Sequence, residues 1–244
     1  MEIIEGRNPV IEALRAGRPI SKILIDRNAK NQGAIINILD LASTRDVSIE
    51  YTDKLAIDEQ SSSGANQGVI ALAQAKRYVD LEDLLRISRE KGEPPLYLIL
   101  DGIEDPHNFG AILRTAEATG IHGVIIRERR AVGLTPAVIK ASAGAVEYVP
   151  VAMVNNISQS IITLKKNNVW VIGIDMTGKT EYSQIDYRLP TAIVIGGEGK
   201  GVSELVCKRC DIIASIPMKG KISSLNASVA AAVVMYETLK QRSS

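Results

Sequence analysis

From Leu96 onward, short apolar runs alternate with segments of helical spacing, and this alternation constrains the chain more than any other feature. LYLIL (96–100), GVIIR (123–127), YVPV (148–151), NVWVIGID (168–175), TAIVIG (191–196) and IIASIP (212–217) read as strands. Helical patterns lie between most of them, the clearest over 108–119 and 156–168. The alternation predicts an α/β fold with a mostly parallel sheet and helices on both faces. In open sheets of this kind, ligands bind beyond the carboxyl ends of the strands, so the loops that follow the strands are where chemistry belongs.

The first 75 residues read as a separate, smaller α/β unit. NPVIEALRAG has the spacing of a short helix, with Asn8 as its cap, Pro9 in the first turn and Gly17 past its end. KILI, VSIEY and QGVIALA read as strands and AIINILDLA as a helix. A charged stretch then carries one helical pattern, LEDLLRISREK, and ends at Gly92 and Pro94-Pro95. These shifts predict a domain over 1–75, a linker over 76–94 and a second domain over 95–244.

Composition excludes several classes. With 45% hydrophobic and 23% charged residues in 244, the chain is globular and not disordered. The net charge of +1 means that any nucleic-acid surface must be local. No apolar run reaches the ~20 residues of a membrane helix, and MEIIEGRNPV lacks a signal pattern, so a cytoplasmic location is expected. The two cysteines make no disulfide framework.

Three strand-end loops stand out. After LYLIL comes DGIEDPHNFGAILRTAEATG, where Asp105, Pro106 and Asn108 are turn and cap residues. Arg114 sits on the second turn of the helix that follows, the end where the helix dipole disfavours a cation. It is either a solvated arginine with Glu117 as a weak helix partner or an anion hook suited to phosphate. After TAIVIG comes GEGKGVSELVCKRC, a glycine-rich loop that does not fit the dinucleotide fingerprint and places Glu198 among glycines. After IIASIP comes the polar knuckle Ser223-Ser224-Leu225-Asn226, followed by a helix in which Leu225, Val229, Ala232, Val233, Tyr236 and Leu239 share a face. Ser224 or Asn226 can cap that helix. Loops built of glycines, amides and hydroxyls suit a ligand that needs positioning more than proton chemistry.

Two other motifs carry less. Gly173 to Thr180 matches G-x-x-x-x-G-K-[ST], yet EYSQIDYRLP after Lys179 lacks the helix a phosphate loop needs. Cys207 and Cys210 form a lone C-x-x-C, with His107 and His122 far off in sequence, so packing is the better reading and no metal site is expected.

NFGAILRTAEATG, IVIGGEGKGVS and IPMKGKISSLNASVAAAVVMYE resemble, in order and spacing, the three motifs of the SpoU (TrmH-type) RNA ribose 2′-O-methyltransferases of the SPOUT superfamily. KASAGAVEYVPV also fits. IEGRNPVIEALRAG and NQGVIALA resemble the substrate-binding domain of the bacterial branch that modifies a guanosine in large-subunit ribosomal RNA, although Asn66 stands where that branch often has His. The resemblance implies a deep trefoil knot, a homodimer, S-adenosylmethionine as methyl donor and RNA as substrate, with transfer RNA the alternative to ribosomal RNA. It implies Arg114 as the essential residue, with Asn108, Glu198, Ser224 and Asn226 as polar motif positions. Gly196, Gly197, Ile216 and Leu225 would contact the cofactor, and Ile195 and Met218 would line its adenine. Substrate binding would lie mainly in the N-terminal unit, where Arg7, Arg15, Arg18, Lys22, Arg27 and Lys30 crowd the first thirty residues, with Lys219 and Lys221 beside the knuckle. Each of these eight is either a substrate contact or, the better reading for any one taken singly, part of a solvated surface. A nucleotide hydrolase using Lys179 and a non-catalytic RNA-binding protein are the competing classes.

Overall fold

A computed structural model describes residues 1–29, 33–61, 64–222 and 224–243. Two compact units emerge, Met1–Arg77 with Leu134–Tyr148, and Tyr78–Gly133 with Val149–Ser244.

The first unit begins with β1 (Glu2–Glu5), α1 (Arg7–Arg15), β2 (Ile20–Asp26), α2 (Gly33–Thr44), β3 (Ser48–Thr52), α3 (Lys54–Gln60) and β4 (Val69–Ala73). Its sheet runs β1-β4-β2-β3, antiparallel except for β2 with β3. The cap of α1 is Gly6, at φ +95, rather than Asn8, which lies one residue inside the helix. Only glycine takes that φ without strain, and the chain needs it to turn straight from β1 into α1. Neither β1 nor α3 was expected; EIIE and KLAIDEQ are too short to show a period.

The second unit carries α4 (Leu81–Lys91), β5 (Leu96–Asp101), α5 (Pro106–Ala118) and β6 (Gly123–Arg127). Leu81, Leu84 and Leu85 of α4 join the core with Tyr97, Ile99 and Val194, so the segment expected to be a linker is half helix packed on this unit. The chain then gives α6 (Pro136–Ala141) to the first unit, where Glu147 receives hydrogen bonds from Arg18 and Lys76. The region read as one domain over 95–244 is therefore interrupted between Leu134 and Tyr148.

Back in the second unit come β7 (Val151–Val154), α7 (Ile157–Lys166), β8 (Trp170–Ile174), β9 (Thr180–Glu181), β10 (Thr191–Gly196), α8 (Glu204–Cys207), β11 (Ile212–Ser215) and α9 (Ala227–Arg242). The strands order as β7-β6-β5-β10-β8-β11-β9, every pair parallel. The strand expected at 148–151 starts only at Val151, because Pro150 has no N–H to give a ladder. Side chains alternate across β10. Ala192 and Val194 belong to the cluster with α4 and α7, while Ile193 and Ile195 are buried toward the opposite face. On that face α5 packs against α9. The C-terminal turn of α9 is pinned by Arg242, which donates to the carbonyls of Pro94, Pro95, Tyr187 and Leu189.

Candidate functional site

The carboxyl ends of β5 and β10 lie side by side, pairing Ile195 with Leu100 and Gly196 with Asp101. Gly196 has no room for a side chain, since an added Cβ would sit 2.0 Å from the Gly201 carbonyl carbon. At Gly197 it would sit 2.2 Å from the Gly102 oxygen. The loop 197–201 folds back on itself, with the Gly201 N–H donating to the Gly197 oxygen at 3.1 Å, and Gly201 at φ +62 closes it. Glycine is required here by close approach of backbones.

Three side chains from three loops converge on this turn. Asp105 caps α5 by accepting from the His107 and Asn108 amides, which fixes Asn108 in the first turn. Asn226 caps α9, its Oδ1 accepting from the Ser228 and Val229 amides. The Asn108 Nδ2 donates to Glu198 Oε1 at 2.7 Å, and the Asn226 Nδ2 donates to the same oxygen at 2.7 Å and to Asn108 Oδ1 at 3.0 Å. Asn108 is buried, while Glu198 and Asn226 are exposed. A carboxylate shared by two amide donors ties the starts of α5 and α9 to the glycine loop through charge-assisted hydrogen bonds.

The other expected residues differ in burial. Ile195 is buried, Gly196, Gly197, Ile216 and Leu225 are half-buried, and Met218 and Ser224 are exposed. Ser223 and Lys30 lie outside the described residues. Arg114 is exposed on α5, about 9 Å along the helix axis from Asn108. Its guanidinium makes no hydrogen bond or ion pair among the described residues, so it does not join the Asn108–Glu198–Asn226 group. Lys219 and Lys221 are exposed.

Of the basic residues expected to meet a substrate, Arg18 is buried and committed internally. It bonds Glu2, Glu147 (2.7 Å) and the Gln74 carbonyl. Arg15 pairs with Glu12 at 2.8 Å and Lys22 with Glu50 at 2.7 Å.

Two carboxylates that support the glycine loop were not singled out from sequence. Asp101, buried at the end of β5, accepts from Arg127 at 2.9 Å and from the Ser203 amide at 2.9 Å. Asp175 accepts from the Thr177 amide and hydroxyl and from the Val202 amide. Burial works to raise its pKa, but these hydrogen bonds together hold it below the usual carboxylate value. An aspartate ending each of two apolar strands was the available signal.

The competing motifs take other forms. Gly173 lies within β8 and Thr180 starts β9, so a strand and not an α-helix follows Lys179, and a Cβ on Gly178 would fall 2.5 Å from the Ala214 carbonyl carbon. Cys207 and Cys210 donate to the carbonyls of Val202 and Val206 and pack on the core. Burial pushes the Cys207 thiol up and the Cys210 thiol to about 12. No group of three or more metal-binding side chains occurs among the described residues.

The SpoU rRNA Methylase family profile matches residues 95–236, and the profile for RNA 2′-O ribose methyltransferase substrate binding matches residues 3–79. The chain belongs to the SpoU methylase family. YacO of Bacillus subtilis, assigned to the TrmH family of tRNA/rRNA methyltransferases, is 43% identical over 99% of this chain and 96% of its own length. A TrmH-family counterpart from Staphylococcus aureus is 45% identical over 98% of this chain and 96% of its own. Among solved structures, the SpoU methyltransferase AviRb from Streptomyces viridochromogenes in complex with AdoMet superposes with a TM-score of 0.83. It is 27% identical and covers 99% of this chain and 90% of its own. The TrmH/SpoU tRNA-modifying enzyme of A. aeolicus, 29% identical, reaches a TM-score of 0.56 over 67% of this chain and 84% of its own. As a member of this family, the protein is an S-adenosylmethionine-dependent RNA 2′-O-methyltransferase.

Proposed function

We propose that the protein methylates the 2′-hydroxyl of a guanosine in large-subunit ribosomal RNA, working as a cytoplasmic homodimer. The observation that carries the site assignment is the shared carboxylate of Glu198, which gathers Asn108 and Asn226 from loops 118 residues apart. The residues present fit the methyl donor. Glycine-rich backbone at 196–201 offers close approach, and exposed apolar Met218 and Ile222 border the polar knuckle as a surface an adenine would cover. Gly196, Gly197, Ile216 and Leu225 would contact it through the main chain, with Ile195 and Met218 against its ring. A chain returning through such a loop into α9 is the course a trefoil knot would take.

The donor supplies an already activated sulfonium methyl, so the protein's task is alignment and charge. A guanidinium presents N–H donors and no acceptor, which makes Arg114 a poor base. Exposed and uncommitted, it is suited to fix the phosphate next to the target ribose and to stabilise the forming alkoxide. Ser224 and the Asn108–Glu198–Asn226 group would hold the loops and the sugar in register.

Support for the dimer comes from α9. Ala227, Ala231, Val234, Met235 and Thr238 are buried on one side of the helix, and α9 packs on α5. The face singled out from the sequence is the other one, with Val229 47% and Tyr236 54% exposed. A helix apolar on both sides needs a second surface, and a second copy supplies it.

Ribosomal RNA is favoured over transfer RNA because the tRNA-modifying structure leaves a third of this chain unmatched, while the substrate-binding profile covers 3–79. Labelled methyl donor, incubated with protein-free ribosomal RNA or with transfer RNA, tests this. The label is expected at one alkali-resistant guanosine linkage of the large-subunit RNA, and labelling of transfer RNA alone would reverse the substrate assignment.

A further inference from the structure

In the first unit, three segments far apart in sequence are clamped into one exposed knuckle. The Gly6 N–H donates to the Val69 carbonyl at 3.2 Å, and the Asp26 N–H to the Gly68 carbonyl at 2.9 Å. Behind them Asn66, 2% exposed, uses its whole amide: Nδ2 donates to Asp58 at 2.8 Å and Oδ1 accepts from the Gly68 N–H at 2.9 Å. Asn66 is thus a structural residue of the turn. Gln67 in front of it stands exposed at φ +55, and Gly68 at φ +77 has Asp26 Cβ 3.3 Å from where its own would be. A glutamine held in left-handed backbone on a surface is a conformation the surroundings have to impose.

The clamp presents donors. Gln67 takes the Arg7 N–H on its side-chain oxygen at 3.2 Å, and its main-chain oxygen accepts from Arg7 Nε at 3.1 Å. The Gln67 amino group and both terminal nitrogens of the Arg7 guanidinium have no partner among the described residues. Arg27, one residue beyond Asp26, carries only a loose 3.9 Å pairing with Asp53, and both side chains are exposed. The nearby carboxylate of Asp26 is buried and accepts from the Asn28 N–H at 3.0 Å. Meanwhile Arg15, Arg18 and Lys22 are each engaged with carboxylates. Immobilising Arg7 in advance removes most of the rotamer entropy that a surface arginine loses on binding.

We infer that this knuckle, formed by Gly6-Arg7, Arg27-Asn28 and Gln67-Gly68, is the point at which the first unit grips RNA. Arg7 and Arg27 take adjacent phosphates of an unpaired stretch, and the Gln67 amino group reads an acceptor on a base edge. A donor-rich, fixed fork fits the acceptor-rich backbone of RNA better than a protein surface. The inference rests on the reading of the chain as an RNA methyltransferase.

The test uses the full-length protein and protein-free large-subunit ribosomal RNA. Ultraviolet cross-linking of the wild type is expected to give adducts in peptides containing residues 6–8, 26–28 or 66–68. Arg7→Ala and Arg27→Ala are each expected to weaken binding and to lower the slope of log affinity against log salt by about 0.7. Arg7→Lys, which keeps the charge and loses the fork, should keep the slope and bind less tightly. Arg86→Ala, at a residue paired on α4 with Asp83 and Glu90, should match wild type in both. If the wild type binds and methylates the RNA while the variants keep its affinity and slope and the cross-links map elsewhere, the knuckle is not the grip. If the wild type neither binds nor methylates it, the underlying reading falls and takes the knuckle with it.

Discussion

Asn226→Asp separates the two jobs of one side chain. Aspartate caps a helix as well as asparagine does, so the bonds from the Ser228 and Val229 amides survive. The two donations from Nδ2 do not. One, to Glu198 at 2.7 Å, is charge-assisted, and the other, to Asn108, is a neutral bond at 3.0 Å. Because Glu198 is exposed, the low end of the usual range applies, about 1.5 kcal/mol for the first and about 0.5 kcal/mol for the second. The sum of about 2 kcal/mol, with carboxylate facing carboxylate added to it, lowers the share of closed loops roughly thirtyfold. Calorimetric titration with S-adenosylmethionine should show a loss of affinity of that order, while circular dichroism shows α9 intact. Adding Glu198→Gln restores a donor opposite the new acceptor and should recover part of the loss. Wild-type affinity in Asn226→Asp, or no recovery in the double variant, would refute the reasoning.

Other perturbations test other levels of the structure. Arg242→Ala removes donors to four carbonyls and should cost about 2–4 kcal/mol, a melting-point drop on the order of 5–10 °C; a change within scatter would deny α9 its anchor. His122 is buried, its Nδ1 accepting from the Leu96 N–H and its Nε2 bonded to Glu93, and burial lowers its pKa below 6.5. The unfolded chain therefore takes up this proton first as pH falls, so the stability is present above 6.5 and is lost below it. His122→Asn should flatten that decline in thermal melts, and an unchanged slope would remove His122 from it. Tyr236→Glu should convert the proposed dimer to a monomer by light scattering, and an unaltered mass would place the interface elsewhere.

The sheet was legible because parallel strands buried on both faces read as plain apolar runs, as LYLIL and TAIVIG do, and their helices carry caps in the sequence. The site was partly legible for the same reason. Asp105 and Asn226 announce helix starts, and glycines crowd where backbones meet. What stayed hidden depends on contacts between distant segments. Nothing in the string says that Leu134–Tyr148 returns to the first unit or that Arg18 is buried against Glu147. Asp101 reads as the polar end of a strand until the Ser203 amide and Arg127 are seen to meet it. The face of α9 singled out from the sequence is not the one buried in the structure, for a physical reason. With both sides apolar, periodicity cannot choose between packing inside the chain and packing against a second one.

The account turns on Arg114, a motif residue whose side chain has no partner among the described residues. Binding of S-adenosylmethionine and transfer of labelled methyl, measured on the same preparation of Arg114→Ala, test it most directly. Donor affinity within about twofold of wild type with transfer abolished is the predicted result. Transfer at the wild-type rate would contradict it.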